Sequence, residues 1–442
     1  MKFIQKKDWI LIFLGVLPAL FFAWTLFHNA SNTPWLDDFE VAPMTLFNWI
    51  HEPNWSNRWA LLWSPNNEHR VVMLKALIVL NYYLFGQLSI KWIIWQTHLY
   101  LIPLYLLIWK SLPKENRLTV FIPSLFLFLN FQYFLSSYWM IAAAQHNLVI
   151  GFGGISMFLL TRPTKSNFIG ALFFALLASI SNSDGMFFFI IGSLVLFLQH
   201  RMRELYVWAS VFALMLFLIF WSYPSMGYHE RGLSYFFQHP LASVQGFFVF
   251  MGGGFDFWYR ELSQFRLLQT GLIGFCLMFV IAVACYYFLF QSARKEQLNK
   301  WRSGDFVNPN ILFISAMLGF CLMNALVISI LRSSWGEFVY LIGNYKIYPT
   351  LAMLFIYLLA LHVWKFVGVY RYLFIGFSFV FWSISILNSF EDVTKRKESL
   401  ASEYQKLMNG KGGLGFTDEQ QAKFGVVKAM KYFESKHMYH AD

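Results

Sequence analysis

The chain has 442 residues, of which 58% are hydrophobic and 21% aromatic, and its mean hydropathy is +0.50. A water-soluble domain cannot bury that much apolar surface, so the composition excludes a soluble globular protein. The formal net charge of +11 does not indicate nucleic-acid binding, because most Lys and Arg residues flank apolar runs, where they orient membrane helices. All three cysteines lie inside apolar runs, which argues against a disulfide framework and against a thiolate metal site.

Continuous apolar runs predict an all-α fold, that of a polytopic helical membrane protein. Several runs approach or exceed the roughly 20 residues that cross a bilayer as a helix, whereas a membrane β-barrel needs short alternating strands. The first run follows three lysines and lacks a cleavage site of small residues, so it is predicted to be a retained signal anchor. Eleven spans are predicted, near residues 9–27, 89–109, 118–133, 142–160, 168–182, 186–199, 205–223, 267–290, 306–330, 347–364 and 372–388.

The run over 71–85 is short, contains Lys75 and Asn81 and follows a polar segment, so it is predicted to lie in the membrane interface. With the N-terminus in the cytoplasm, the basic residues before the tail fall mainly on the inner segments, as the positive-inside rule requires. In this topology every unusual polar cluster lies on the outer face, where distant parts of the chain can share one cavity. The clusters are WLDDFE (35–40), NNEHR (66–70), AAQHN (143–147), SNSDG (181–185), GGGFDFW (252–258) and GNYK (343–346).

The predicted membrane domain covers residues 1–388. It includes a first outer loop (28–88), with interfacial helices at 38–51 and 68–85, and a second outer loop (224–266). A polar C-terminal tail (389–442) follows the domain. The tail is predicted to form a small cap on the outer face, with a helix over 417–436 that begins at Thr417.

The most distinctive motif is the acidic pair Asp37–Asp38, which follows the signal anchor in a chain with only 13% charged residues. A carboxylate within hydrogen-bond reach of a hydroxyl can act as its general base, and two adjacent carboxylates at a low-dielectric edge have their pKa values pushed apart. Asp is also a favoured helix N-cap, so the pair can instead begin the helix at 38–51. One residue can do each job, with Asp38 as cap and Asp37 as base, and the sequence does not separate them.

A signal anchor, an outer loop that opens with paired acids, two juxtamembrane helices and many further spans together resemble the GT-C superfamily of integral-membrane glycosyltransferases. The segments NEHR (67–70) and SNSDG (181–185) are similar to those of a group of bacterial membrane proteins of this kind. The resemblance covers most of residues 1–390. It implies a donor in which a sugar is linked to polyprenyl phosphate, and it implies that Asp37 or Asp38 is the catalytic carboxylate.

Other polar residues on the outer face are expected to bind the ligands of such an enzyme. A leaving lipid phosphate gains charge in the transition state and is stabilised by fixed polar groups, for which the expected residues are Arg70, Arg332, Tyr345 and Lys346. The residues expected to bind the substrate are Glu68, His69, Arg70, Gln145, His146 and Asp184. Each group also has a structural alternative. The residues 68–70 can be the solvated start of a helix, 145–147 can form interhelical hydrogen bonds, and 181–185 can form a turn. The residues 332 and 345–346 can extend their polar ends to the membrane interface.

These features predict an inverting glycosyltransferase that moves a sugar from a polyprenyl-phosphate donor to a glycan or lipid-linked acceptor, with an Asp as general base. No cofactor is expected, and no metal, because no spacing such as HExxH occurs. The expected partners are the donor, the acceptor and membrane lipids, and not nucleic acid. The expected location is a bacterial inner membrane, with the N-terminus cytoplasmic and the site on the periplasmic face.

Two alternatives stay open. An O-antigen-type polysaccharide polymerase or ligase would rely on Arg and His in an extended outer loop, and the loop 224–266 offers His229, Arg231 and His239. A lipid or glycan transporter or flippase would have charged or broken helices at the bilayer midplane, often with internal repeats. The sequence shows neither clearly, because its polar residues gather at one edge.

Overall fold

The computed structural model describes residues 6–67, 69–221, 228–257, 261–292, 308–364, 369–420 and 425–442. Every regular secondary-structure element in these ranges is helical, so the predicted all-α class is confirmed. The α-helices are α1 (Lys6–Asn29), α2 (Thr45–His51), α3 (Trp55–Trp63), α4 (Val72–Phe85), α5 (Ile90–Thr97), α6 (Leu101–Ser111), α7 (Arg117–Phe128), α8 (Phe134–Tyr138), α9 (Met140–Leu160), α10 (Lys165–Ser181), α11 (Phe187–Leu198), α12 (Met202–Phe220), α13 (Tyr228–Gln238), α14 (Pro240–Gly252), α15 (Gln264–Ser292), α16 (Pro309–Leu331), α17 (Ile347–Trp364), α18 (Tyr370–Met408) and α19 (Val426–Ser435).

In the described part of the chain, eight helical segments are long and apolar enough to cross a membrane, which makes this a multi-pass membrane protein. They are Trp9–Asn29, Ile90–Ser111, Met140–Leu160, Met202–Phe220, Gln264–Tyr286, Pro309–Leu331, Ile347–Trp364 and Tyr370–Met408. Each coincides with one of the eleven predicted spans. The other three predicted spans correspond to shorter apolar helices, Arg117–Phe128, Lys165–Ser181 and Ser183–Leu198, so the number eleven stays a prediction.

The bundle has a buried centre and an apolar outer surface. The helix α17 lies at the centre, because 83% of its apolar 18-residue stretch is buried. The helix α12 lies at the periphery, with only 17% of the corresponding stretch buried. Large apolar side chains on peripheral helices, such as Phe13, Phe217 and Phe275, are more than half exposed. Such a surface is favourable only against lipid, which agrees with the membrane assignment.

The first outer loop contains three helices rather than the two predicted ones. A π-helical turn, Glu40–Met44, leads into α2, and α4 begins at Val72 rather than at 68. The additional helix, α3, contains the Trp- and Asn-rich stretch between them. It begins after Asn54, whose side chain accepts a hydrogen bond from Ser56 N at 2.9 Å, which is ordinary N-cap geometry.

The polar tail continues the last membrane helix instead of beginning after it. The helix α18 has 39 residues, about 58 Å at 1.5 Å per residue, and therefore extends far beyond a hydrocarbon core about 30 Å thick. The helix predicted over 417–436 is interrupted, because Gly425 has a left-handed φ of +63° immediately before α19. Thr417 does cap as predicted: its Oγ1 accepts from Gln420 N at 3.2 Å, and Gln420 Oε1 accepts from Thr417 N at 3.0 Å.

This tail packs on the first outer loop. Leu36 N donates to Leu414 O at 3.1 Å, and the Asp442 carboxylate accepts from Ser31 Oγ at 2.7 Å. Buried apolar side chains from α18 and α19 share a core with those of the first outer loop. The tail and the acidic pair therefore lie on the same side of the bundle, and the tail fixes the path of the loop.

The second outer loop is largely helical where it is described, because α13 and α14 occupy residues 228–252. The helix α14 packs closely on α15 through glycines. A Cβ at Gly252 would stand 1.8 Å from Thr270 O, and one at Gly274 would stand 1.9 Å from Phe248 O. At these positions the two backbones are in contact, so only glycine fits.

Candidate functional site

Polar clusters that lie far apart in the sequence meet at one end of the bundle. The hydrogen bonds that join them run from Ile141 N to Asp38 Oδ1 (2.9 Å), between His69 Nδ1 and Ser183 Oγ (3.4 Å) and between His146 Nδ1 and Tyr348 Oη (2.7 Å). Of these three bonds, the one between His69 and Ser183 joins two of the predicted polar clusters directly, and the other two involve Ile141 and Tyr348, which lie two residues outside AAQHN and GNYK. The fold therefore brings most of the predicted site residues into one region.

Asp38 has a structural role. Its side chain is 1% exposed, and both oxygens accept backbone hydrogen bonds, Oδ1 from Ile141 N at 2.9 Å and Oδ2 from Trp35 N at 3.1 Å. Ile141 lies in the first turn of α9, so Asp38 caps that helix and not the one predicted at 38–51. Burial raises the pKa of Asp38 to about 7, although the two backbone bonds and the charge of Arg396 act in the opposite direction.

Asp37 is less constrained. It is half-buried and accepts a hydrogen bond from the side chain of Asn67, and burial raises its pKa despite that bond. Its charge also acts on Tyr345. Burial is the main cause that raises the pKa of Tyr345; the charge of Arg332 opposes this effect, and the charges of Asp184 and Asp37 add to it. Tyr345 is thus close to two carboxylates and one cation from three other segments. The charges of three segments therefore act on Tyr345.

The segment NNEHR forms a tight turn. Asn66 N donates to His69 O at 2.7 Å and His69 N to Asn66 O at 2.9 Å, while Asn67 takes a left-handed φ of +49°. This turn directs Asn67 towards Asp37 and places the half-buried His69 beside the SNSDG segment. Glu68, which is predicted to bind substrate, lies outside the described residues.

Arg70 is held by backbone carbonyl groups. Its Nε donates to Ile219 O at 2.8 Å and its Nη2 to Trp221 O at 2.7 Å, at the end of α12, while Nη1 donates to Trp63 O at the end of α3. A cation is favourable at a helix C-terminus, and this one joins two such ends while only 4% exposed. The geometry therefore favours a structural role for Arg70 over the predicted contacts with substrate and lipid phosphate.

Four buried polar residues form a continuous hydrogen-bonded chain, which we call the polar chain: His146, Tyr348, Asp184 and Asn182. His146 Nδ1 lies 2.7 Å from Tyr348 Oη, Tyr348 Oη donates to Asp184 Oδ2, and Asn182 Nδ2 donates to Asp184 Oδ1 at 2.8 Å. All four side chains are at most 9% exposed. The break between α10 and the next helix supplies two members, because Asn182 leaves the helix with extended backbone.

A second buried cluster combines two cations with one carboxylate. Arg266 Nε lies 2.8 Å from Asp256 Oδ1, and Lys346 Nζ lies 2.8 Å from Asp256 Oδ2. Burial acts to raise the pKa of Asp256, but the hydrogen bonds and charges of the two cations outweigh it and lower that pKa. Two cations from different segments thus converge on one buried carboxylate. Arg332, also predicted to contact lipid phosphate, is half-buried and lies 4.2 Å from the centre of the Trp335 ring.

The remaining predicted residue, Gln145, is half-buried in α9 beside His146. Within the ranges that the structure describes, no three His, Cys, Asp or Glu side chains are grouped closely enough to hold a metal ion. A cavity of about 210 Å³ lies elsewhere, between the end of α4 and the start of α5. Its lining residues are Asn81, Phe85, Gln87, Ser89 and Trp92, none of which belongs to the region described above.

Sequence reasoning missed Tyr348 and Arg266. Tyr348 lies in an apolar run, where a tyrosine is usually part of the core. Its closeness in sequence to Tyr345, in the turn before α17, is the only signal that it belongs to the site. Arg266 lies ten residues from Asp256, and only the folded chain brings the two together.

Comparisons of the chain with protein-family models, with curated proteins and with solved structures find no match. The chemistry of this region is therefore the basis for inferring a function.

Proposed function

We propose that the protein is an inverting glycosyltransferase of GT-C type that transfers a sugar from polyprenyl phosphate to a glycan or lipid-linked acceptor, with Asp37 as general base. The observation that carries this proposal is the contrast within the acidic pair. Asp38 uses both oxygens to hold backbone N–H groups, whereas Asp37 is half-buried beside the exposed Asn67. One carboxylate therefore positions the loop, and the other stays available to accept a proton.

In the proposed reaction the acceptor hydroxyl attacks the anomeric carbon of the donor. The new bond joins the acceptor oxygen to that carbon, the bond from the carbon to the phosphate oxygen breaks, and the hydroxyl proton goes to the Asp37 carboxylate. Polyprenyl phosphate leaves with the bonding electron pair, and a single displacement inverts the anomeric centre. Burial raises the pKa of Asp37, which makes it a stronger base than an exposed aspartate.

The leaving phosphate needs positive charge that is fixed in place. Arg266 and Lys346 are both held by the carboxylate of Asp256, so two cations are fixed side by side in this cluster. Burial lowers the pKa of Lys346, while Asp256 opposes this effect. We assign the lipid phosphate to this cluster together with Arg332 and Tyr345. Arg70 is left out because helix ends hold its guanidinium.

The proposed location is a bacterial inner membrane, with the N-terminus cytoplasmic and the site on the periplasmic face. The support is the gathering of the polar clusters at one end of the bundle, together with the positive-inside pattern of the sequence. The polyprenyl chain of the donor would lie against the exposed apolar surface of the helices, and the acceptor would approach from the aqueous side.

A transfer assay tests this function. Purified protein in lipid nanodiscs is incubated with a panel of undecaprenyl-phosphate sugars and with a glycolipid extract of the source cells, and products are identified by mass spectrometry and NMR. Wild type should form a glycosylated product of inverted anomeric configuration from at least one donor, and Asp37→Asn should form less than about one hundredth as much, in line with the usual contribution of a general base. A retained configuration, or full transfer by Asp37→Asn, would overturn the proposal.

A further inference from the structure

The polar chain of His146, Tyr348, Asp184 and Asn182 has a defined direction of hydrogen bonding. An ionised Asp184 only accepts hydrogen bonds, so the single proton of the Tyr348 hydroxyl and one amide proton of Asn182 both point to it. With its proton engaged, Tyr348 Oη acts as an acceptor towards His146, and therefore Nδ1 of His146 carries the proton. Nε2 of that ring then has a bare lone pair.

Both ends of the polar chain finish in an acceptor atom. Among the residues described by the structure, no hydrogen-bond partner lies within reach of His146 Nε2 or of Asn182 Oδ1, and both atoms are buried. A buried polar atom without a partner is unfavourable because it has lost its hydrogen bonds to water, so two such atoms in one chain indicate an unmet need for a donor. Both require a donor, and neither can be satisfied by an anion or by another acceptor.

The polar chain lies close to the surface of the site. The ring of the half-buried Tyr345 meets the ring of His146 edge-on at 6.2 Å, and the half-buried His69 contacts Ser183, the residue between Asn182 and Asp184. Rotation of such partly exposed side chains would open the buried acceptors to a ligand. The charges of Asp37 and Arg332, two residues of the proposed catalytic machinery, also act on Tyr345.

We propose that the polar chain is the sugar-recognition element, in which His146 Nε2 and Asn182 Oδ1 each accept a hydrogen bond from a hydroxyl group of one sugar. A sugar supplies several neutral hydroxyl donors, which is the kind of group that both acceptors require. Asp184 does not contact the sugar; through Tyr348 it fixes the tautomer of His146, as a carboxylate does in other oriented histidine systems. The role of this element rests on the proposed transferase function, whereas sugar binding itself is measured without turnover.

The test compares the binding of lipids with and without a sugar. The probes are undecaprenyl phosphate, undecaprenyl-phosphate glucose, galactose and mannose, and the methyl glycosides of the same sugars, measured by calorimetry in nanodiscs. Tyr348→Phe removes the hydroxyl that fixes His146. Tyr357→Phe is the matched control, since Tyr357 lies on the same helix, is also buried and donates to Val120 O at 2.8 Å away from the polar chain.

Wild type should bind at least one sugar-bearing lipid more tightly than undecaprenyl phosphate, or should bind at least one methyl glycoside with heat above that of a buffer titration. Tyr348→Phe should weaken that binding about tenfold, the effect of one good hydrogen bond, and leave binding of plain undecaprenyl phosphate unchanged. If Tyr348→Phe weakens the binding of the lipid-linked sugar alone, the occupant is the donor sugar. If it weakens the binding of the methyl glycoside, the occupant is the acceptor. Equal effects of Tyr348→Phe and Tyr357→Phe, or no sugar preference in wild type, would overturn the proposal.

A second measurement needs no folded Tyr348 variant. Nitrogen-15 NMR of labelled histidines, with His146→Gln to assign the signal among the 11 histidines, reports which ring nitrogen carries the proton. The expected state is protonated Nδ1 with a bare Nε2 whose signal moves when the preferred sugar ligand is added. A protonated Nε2, or a bare Nε2 whose signal does not change when sugar binds, would refute the assignment of the polar chain as the sugar-recognition element. Because neither experiment involves turnover, sugar binding can be confirmed even when no transfer is found.

Discussion

Replacement of Asp38 by Ala should destabilise the protein far more than the same change at Asp37. The substitution removes the acceptor of the buried backbone N–H group of Ile141 and of the partly buried N–H group of Trp35. A buried orphaned group costs about 1 to 3 kcal/mol, and the partly buried one costs less because water can reach it. Removal of a carboxylate that is itself costly to bury offsets part of this loss, so we expect a decrease of about 2 to 3 kcal/mol in the free energy of unfolding.

The neighbouring carboxylate provides the control. Asp37 is half-buried and its partner Asn67 is exposed, so water can replace the lost hydrogen bond, and Asp37→Ala should change stability by less than about 0.5 kcal/mol. Unfolding in mixed micelles, followed by circular dichroism, measures both variants. Hydrogen exchange should also be faster at Ile141, in the first turn of α9, in Asp38→Ala only. Equal stability losses, or unchanged protection at Ile141, would refute the assignment of Asp38 as the cap of α9.

Three further predictions follow from other contacts. The transfer rate should fall with decreasing pH as Asp37 is protonated, with the midpoint above 3.8 because burial raises its pKa; a pH–rate profile with a midpoint at or below 3.8 would contradict a half-buried base. Asp256→Ala leaves the buried Arg266 and the largely buried Lys346 without their shared carboxylate and should destabilise the protein by about 3 to 5 kcal/mol in the same unfolding assay. A loss below about 1 kcal/mol would show the cluster to be solvated. In Gly252→Ala the new methyl group would collide with Thr270 O, so the free energy of unfolding should fall by about 1 to 3 kcal/mol. In Gly376→Ala the new methyl group would have no atom within 4 Å, so the protein should be as stable as wild type or more stable.

The stability of the protein should also depend on pH through Asp38. Its folded pKa of about 7 lies above the unfolded value of 3.8, so the folded state binds more protons between these values. The stabilisation is fully present below pH 3.8 and is lost as the pH rises through about 7. Asp38→Asn cannot titrate and should show a shallower decline between pH 5 and pH 8; an identical slope in both proteins would mean that Asp38 is not the titrating group.

The membrane class and eight spans were predictable because an apolar run of about 20 residues is a local property of the sequence. The gathering of polar clusters at one end also follows from counting spans, since alternate helix ends face the same side. What a span count cannot provide is the partner of each polar group. Asp38 caps a helix that begins about 100 residues later, and Arg70 binds carbonyl groups about 150 residues away.

Two further misses have a similar origin. Tyr348 lies in the most buried of the eight spans, between Ile347 and Pro349, and its part in the polar chain depends on His146 and Asp184, which come from other segments. The tail was predicted as a separate cap from its polarity, yet helix propensity carries α18 through the boundary at residue 389 without interruption. Composition marks where a chain leaves the bilayer, but it does not mark where a helix ends.

The central claim is that the two neighbouring carboxylates divide the work, Asp37 for proton transfer and Asp38 for structure. The most direct test measures transfer and stability together in Asp37→Asn and Asp38→Asn, with rates normalised to the folded fraction. We predict that Asp37→Asn is as stable as wild type and at least about 100-fold slower, and that Asp38→Asn is less stable while its folded fraction transfers sugar at close to the wild-type rate. The reverse pattern, or wild-type transfer by folded Asp37→Asn, would contradict the account.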